Sequence, residues 1–311
     1  MTLSDPLWCA GTGSFGARCL SVLAESTRID RVITAYPRPA GRHLAERKTP
    51  VESAALRLGL PLSRTSDFTS DIDLLVQYKI EHPACIVVVD FAQKIGEPFL
   101  SLSGPGCLNI HPSLLPAYRG AAPVQRAIMN GENTTGVTVF RLVPRMDAGP
   151  ILASRSFAIG PDETFGDISE RLAVQGSRLL LNSLELFRQG RISFKEQEHE
   201  NASLAPRISK SETELRWERP SKNVHDLVRA MNPVPGCFVF LGARRLKVWR
   251  TRISDLSGEA GEIAGFLDGH PVIACGTGSV ALLEVQQEGK RKTDGADWLR
   301  GTDLKKGDKL K

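Results

Sequence analysis

The chain has no apolar run near the ~18 residues that a membrane-spanning helix needs. It has no cysteine pair at CxxC spacing, and no serine or cysteine in a GxSxG elbow. The first absence excludes a helical membrane anchor within the sequence. The second leaves the six cysteines, at 9, 19, 85, 107, 237 and 275, without support for a zinc site or a redox pair. Set mostly among apolar residues, they read as buried reduced thiols. The third argues against a covalent acyl-enzyme. Residues 1–7 carry Asp5 and Pro6 but no basic residue, so neither a signal nor a transit peptide is expected and a cytoplasmic protein is.

With 311 residues, 41% hydrophobic and 24% charged, the sequence is ordinary for one large or two medium domains. The net charge of +5 is modest but unevenly placed. Residues 206–311 hold 19 Lys and Arg against 14 Asp and Glu, while residues 1–205 hold 21 of each. A basic second half points to an anionic partner.

The first ~190 residues alternate strand-like and helix-like patterns, the signature of an α/β domain. Strands are expected at 7–10, 31–36, 85–89, 107–111, 135–142 and 151–159. Helices are expected at 52–58, 72–81, from Pro123 to 129, and at 164–189, with another after the first strand. The unbroken apolar run of 85–89 marks a strand buried on both faces. Residues 191–205 lack apolar periodicity and read as a linker. From 206 onward one helix (224–231) and five short strands (237–241, 245–249, 262–267, 272–274, 280–285) predict a small β-barrel, OB-like in size.

Gly11-Thr12-Gly13-Ser14-Phe15-Gly16 matches GxGxxG between a strand and a helix. The motif alone is a weak sign of a dinucleotide site. The second strand ends without the acid that would hold a ribose, although Arg38 offers a partner for a 2′-phosphate. The bland reading is a Gly-rich turn with N–H groups open to an anion.

A stronger signal is Asn109-Ile110-His111-Pro112 with Met146-Asp147-Ala148-Gly149. Residues two apart on a strand share a face, so Asn109 and His111 project together while Ile110 turns to the core. Pro112 keeps His111 extended, so the strand ends there and delivers both groups to the edge where α/β sheets bind ligands. Asn109, His111 and Asp147 together supply an oxyanion donor, a base or imidazolium, and a carboxylate. Without a nucleophile elbow, they favour direct transfer to an external nucleophile.

Residues 107–116 (CLNIHPSLLP) and 118–125 (YRGAAPVQ) resemble the signature of the folate-dependent formyltransferases. The Arg119–Pro123 continuation is nearest to members that act on an aminoacylated tRNA. Matches at 10–12, 38–42, 208–210, 229–233 and 247–249 extend the likeness along nearly the whole chain. The resemblance implies a Rossmann-like catalytic domain over 1–190 with a mostly parallel sheet, the linker 191–205, and a tRNA-binding OB-like domain over 206–311. It implies 10-formyltetrahydrofolate as formyl donor, the α-amino group of initiator methionyl-tRNA as acceptor, no metal, no membrane and a monomer. Asn109 and His111 would stabilise an oxyanion. Asp147 would orient His111, raise its basicity or relay a proton. Ser113, Leu114, Leu115 and Pro116 would line the folate cleft, with Gly120 allowing close approach. Phe91, Ala92 and Gln93 stand where the family has Ala-Tyr-Gly, and Gly96 where it has proline. Arg38, Arg42, Arg47 and Lys48 would meet the acceptor stem, in a loop one residue shorter than usual. Lys290, Arg291 and Lys292 would add phosphate contacts. The same chemistry on a sugar-nucleotide or glycinamide-ribonucleotide amine is the alternative. A non-catalytic nucleic-acid- or NADP-binding protein is the weaker one.

Overall fold

The computed structural model describes residues 6–40 and 45–310. They form two compact units. In chain order the first 204 residues contain β1 (Leu7–Gly11), α1 (Ser14–Ser26), β2 (Arg31–Ala35), β3 (Arg38–Ala40), β4 (Ala45–Arg47), α2 (Pro50–Arg57) and β5 (Leu62–Thr65). They continue through α3 (Ile72–Glu81), β6 (Cys85–Val89), β7 (Gly106–His111), α4 (Pro123–Met129), β8 (Thr134–Arg141), β9 (Ile151–Ala158) and α5 (Phe165–Arg188).

The first unit is Met1–Gly120, Gly136–Phe157 and Ser169–Leu204. Its seven-stranded sheet runs β5-β2-β1-β6-β7-β8-β9. Strands β1, β2, β5, β6 and β7 pair in parallel, and β8 joins β7 antiparallel. The parallel centre follows from sequence: β1 and β6 are buried at every position, as their continuous apolar runs require. Trp8, Ile33, Phe68, Leu74, Ile86 and Phe99 pack as the core on one side. Two helices begin where local chemistry dictates. Thr49 caps α2 by accepting the Glu52 N–H, with Pro50 at the first position, and Asp71 caps α3 by accepting the Leu74 N–H. Parallel pairing sets Gly11 beside Val89 and Val88 beside Asn109. The C-terminal ends of β1, β6 and β7 therefore lie along one edge of the sheet.

The second unit is Ala121–Thr135, Ala158–Ile168 and Ala205–Lys311. After α6 (Ser221–Ala230) come β10 (Cys237–Leu241), β11 (Arg244–Ser254), β12 (Ile263–Leu267), β13 (His270–Ala274), β14 (Ser279–Gln287), β15 (Thr293–Asp294) and α7 (Gly295–Arg300). The antiparallel order is β10-β11-β14-β13-β12, with β15 against β14. The five expected strands are all present, β11 longer than its apolar stretch because it runs on through the exposed Arg250, Arg252 and Ile253. Register shifts between Val248 and Thr251 bend it over α6. Helix α4 belongs to this unit. Its Arg126 pairs with Glu212 and donates to the carbonyls of Pro206 and Arg207.

No helix among the described residues is long and apolar enough to cross a membrane. All six cysteines are buried and free, and burial pushes Cys19 and Cys107 each up to about 12.

The Arg126 guanidinium, followed by the Ser209 N–H, holds the Glu212 carboxyl down at about 2. A depressed acid stabilises the fold above its unfolded value and loses that contribution as pH falls toward the folded one. Glu212→Gln should therefore lower the urea midpoint at pH 7, and the gap to the parent should close between pH 4.5 and pH 2. A gap independent of pH would show that the ion pair is not its source.

Candidate active site

Strand β7 ends on His111, two residues beyond the last ladder pair with β6. Ile110 is 1% exposed, and Asn109 and His111 project from the opposite face. The side-chain amide of Asn109 is half-buried and has no hydrogen-bond partner among the described residues. A half-dry amide with free N–H groups at a strand end is the donor that a developing oxyanion needs.

His111 is buried, and its Nε2 lies 3.0 Å from the Tyr118 carbonyl oxygen. A carbonyl only accepts, so Nε2 carries the hydrogen and, in the neutral ring, Nδ1 keeps its lone pair. Nδ1 is 3.9 Å from Asp147 Oδ2. That oxygen accepts the Gly120 N–H at 2.8 Å. The carboxylate is thus pinned by the 118–120 loop while it faces the imidazole. It does not fix the tautomer, which Tyr118 sets. It is placed to stabilise a proton arriving on Nδ1.

Asp147 has φ 49°. The left-handed region is sparsely populated outside glycine, aspartate tolerating it better than most, and surrounding contacts here favour it. Here Gln197 supplies them. Its Nε2 donates to the carbonyls of Asp147 (2.9 Å) and Gly149 (2.7 Å), and its Oε1 accepts from Arg119 Nη2 (2.5 Å). Arg119 is 4% exposed and also donates to His199 Nδ1 at 2.9 Å. Burial, and then the Arg145 charge, pull the Arg119 guanidinium down, while Asp147 pulls it up. Ser203 accepts the N–H groups of Tyr118 and Arg119 through its hydroxyl and its carbonyl. Gln197, His199 and Ser203 all lie in the stretch expected as a linker. They carry no apolar pattern because their contribution is hydrogen bonding. The Arg119–Gln197 pairing spans 78 residues and has no local signal.

The Ser113–Pro116 stretch folds onto β8. Ser113 is 1% exposed, its hydroxyl donates to the Ala117 carbonyl, and Thr138 binds the Ser113 carbonyl and the Leu115 N–H. Leu115 is buried and Leu114 packs against Gly136, where an added Cβ would meet it at 2.3 Å. These contacts rigidify the turn after His111, and Ser113 has its hydroxyl turned inward. Phe91 stacks edge-on against Phe68, and the Gln93 amide bridges the Thr65 carbonyl and the Phe68 N–H. Only Ala92 of the three is exposed. The segment thus leaves mainly backbone to face a ligand.

The Gly-rich turn has no anion to find. The N–H groups of Thr12 and Gly13 and the Thr12 hydroxyl all donate to the Asp90 carbonyl, and the Asp90 carboxylate fills the space beside Gly13. Packing against the turn pushes the Asp90 carboxyl up, and the Phe15 and Gly16 N–H groups pull it back. The NADP reading loses its phosphate cradle for this reason.

Among the basic residues, β3 and β4 form a hairpin that sets Arg38 opposite Arg47. Arg47 and Lys48 are exposed, and Arg42 lies outside the described residues. In the second unit Lys290 and Arg291 are exposed. The Lys292 ammonium sits 3.8 Å over the Trp249 ring and 3.6 Å from Glu284.

Among the described residues, an amide without a hydrogen-bond partner, an imidazole with a free lone pair and a carboxylate facing it have the chemistry that direct group transfer needs. The family models place it more closely. Residues 8–184 match the formyl transferase family and residues 207–303 match the formyl transferase C-terminal domain. The chain belongs to the formyl transferase family. It is 37% identical over 303 residues to the methionyl-tRNA formyltransferase of Moorella thermoacetica, covering 96% of this chain and 97% of the relative. It is 35% identical over 305 residues to that of Methylobacterium nodulans, with the same coverage. Among solved structures, HypX from Aquifex aeolicus shares the fold with a TM-score of 0.65 at 19% identity, over 99% of this chain and 50% of that one. The sugar 3N-formyltransferase WlaRD does so with a TM-score of 0.64 at 17% identity, over 93% of this chain and all of that one.

Gly149 closes the turn that carries Asp147, and a Cβ there would lie 1.8 Å from the Arg141 carbonyl oxygen. Gly149→Ala should cost about 1–3 kcal/mol in denaturant unfolding. It should also depress formyl transfer, because the turn has to move. Unchanged stability would mean that the close approach is relieved elsewhere.

Proposed function

We propose that the protein transfers the formyl group of 10-formyltetrahydrofolate to the α-amino group of methionine on initiator methionyl-tRNA. The observation that carries the chemistry is the pairing of an unpartnered Asn109 amide with a His111–Asp147 couple at one strand end. The acceptor rests on the relatives' names and on their near-complete coverage of the chain.

The donor set fits a formyl ligand. The cosubstrate supplies an activated one-carbon unit on nitrogen, and the residues do the rest. The Asn109 N–H groups stabilise charge on the formyl oxygen, a contribution of typically about 3–4 kcal/mol. His111 lies on the same face and its Nδ1 lone pair receives a proton from the attacking amine, directly or through water. An α-amino group has an ordinary pKa of about 7.7–8.0, so this transfer asks little of the base. Asp147 offsets the imidazolium charge, and the Nε2–H bond to Tyr118 keeps the ring from turning as the proton moves. The proton then passes to the departing folate nitrogen. Phe91, Ala92 and Gln93 present backbone to the pterin, with Ser113–Pro116 and Gly120 framing the cleft. Arg38, Arg42, Arg47, Lys48, Lys290, Arg291 and Lys292 meet tRNA phosphates, where arginine forks and lysine charges both serve. The enzyme acts as a monomer in the cytoplasm.

The deciding experiment offers purified protein and 10-formyltetrahydrofolate to charged initiator tRNA, charged elongator tRNA and small amino sugars. Formylation confined to initiator methionyl-tRNA is expected, and transfer to an amino sugar alone would overturn the assignment. Asn109→Ala should lower kcat about 10²–10³-fold with folate affinity nearly unchanged. An equal loss of both would remove the amide from its oxyanion role. tRNA binding should weaken steeply between 50 and 200 mM salt, roughly by one decade per decade of salt for each phosphate neutralised, as followed by filter retention. A flat response would make the basic surface incidental.

A further inference from the structure

We infer that Gln197, backed by Arg119, is a positioning residue for Asp147, so that a segment outside both family-matched regions completes the active site. The inference rests on the role of Asp147 proposed above. Gln197 lies between residue 184, where the first match ends, and residue 207, where the second begins.

Asp147 is held at φ 49°, a sparsely populated conformation that aspartate tolerates better than most residues but that is seldom its preferred one. Rotating its backbone back would swing Oδ2 away from both the Gly120 N–H and His111 Nδ1. What opposes that rotation is the Gln197 amide, whose two hydrogens are divided between the carbonyls of residues 147 and 149. Gln197 is itself 6% exposed and fully committed. Arg119 Nη2 and Nε reach its Oε1 at 2.5 and 3.2 Å, which fixes which end of the amide points at the turn. The segment is anchored in turn, since Lys195 and Ile151 exchange both backbone hydrogen bonds at 2.7 and 2.8 Å. The chain of contacts runs Arg119, Gln197, Asp147, His111; in the first two links donor and acceptor cannot exchange roles, and in the last the carboxylate faces the Nδ1 lone pair at 3.9 Å, ready for an arriving proton. A guanidinium only donates and carbonyls only accept, so an amide is the side chain that satisfies both.

The geometry separates this role from mere packing. Gln197→Glu has nearly the same shape and retains the Arg119 partner, but it turns two donors into an acceptor facing two carbonyl oxygens. Gln197→Met removes the polar end and adds no charge, and it guards against a folding defect specific to the glutamate. For both variants kcat should fall about 10- to 100-fold, while KM for the folate and for tRNA stays within about twofold. The melting transition confirms that each is folded.

The discriminating measurement is a double-mutant cycle with Asp147→Asn. If Gln197 acts through Asp147, adding Gln197→Glu to Asp147→Asn lowers kcat little further. Multiplicative losses would overturn the inference, as would a folded Gln197→Met with the parental kcat. If both single variants fail to fold, Gln197 is a stability residue and the inference falls. Failure of the parent protein to formylate methionyl-tRNA would be a different result, striking the functional reading itself.

Discussion

The carboxylate of Asp147 faces the His111 imidazole across 3.9 Å, and its position depends on a backbone conformation that few residues adopt. Asp147 sits in left-handed geometry on an irregular turn, with β8 and β9 on either side. Three elements distant in sequence converge to hold it. The 118–120 loop binds its side chain from the front, Gln197 binds its carbonyl from behind, and Gly149 lets the turn press against Arg141. Strain of order 1–3 kcal/mol at such a residue persists only when its surroundings over-determine it. Strand β7 needs less help. β7 is buried on both sides and strand alternation alone aims Asn109 and His111 together.

The same economy appears in how donors are distributed. Groups that organise the site are hydrogen-bonded within the protein: the Ser113 hydroxyl, the Gln93 amide, the Arg119 guanidinium and the N–H groups of the Gly-rich turn. The Asn109 amide is the contrasting case, half-buried and without a hydrogen-bond partner among the described residues. A donor held in place without an internal partner needs no rearrangement before it meets an acceptor. Its hydrogens are free for a developing oxyanion, which is how preorganised electrostatics act on a reaction.

Much of this was legible in the sequence because it depends on short-range rules. Helix α3 over 72–81, strand β6 over 85–89 and strand β10 over 237–241 fall where periodicity and apolar runs place them. The pairing of Asn109 with His111 on one face needs only alternation and Pro112. Strand β5 was silent because an edge strand reading Leu-Ser-Arg-Thr has only its last residue buried. The β3–β4 hairpin and α7 were missed because three to six residues are too few to show a period. Gln197 escaped for another reason. A buried polar residue looks like any surface glutamine until its partners, 48 to 78 positions away, are known. The GxGxxG turn is legible but says little about ligands. Its glycines make room for Asp90 and for close contact of α1 with the Val89 carbonyl, needs internal to the fold.

Helix α4 draws out a consequence of the chain's path. It is encoded between β7 and β8, yet it packs on α6 within the unit that holds all the later strands. A fragment starting at residue 206 would carry the antiparallel sheet but strip α6 of its cover and leave Glu212 without Arg126. The gene order therefore does not parcel the molecule into two detachable halves. During synthesis α4 emerges from the ribosome long before its packing partners, and it must wait for about a hundred further residues before its apolar side is shielded.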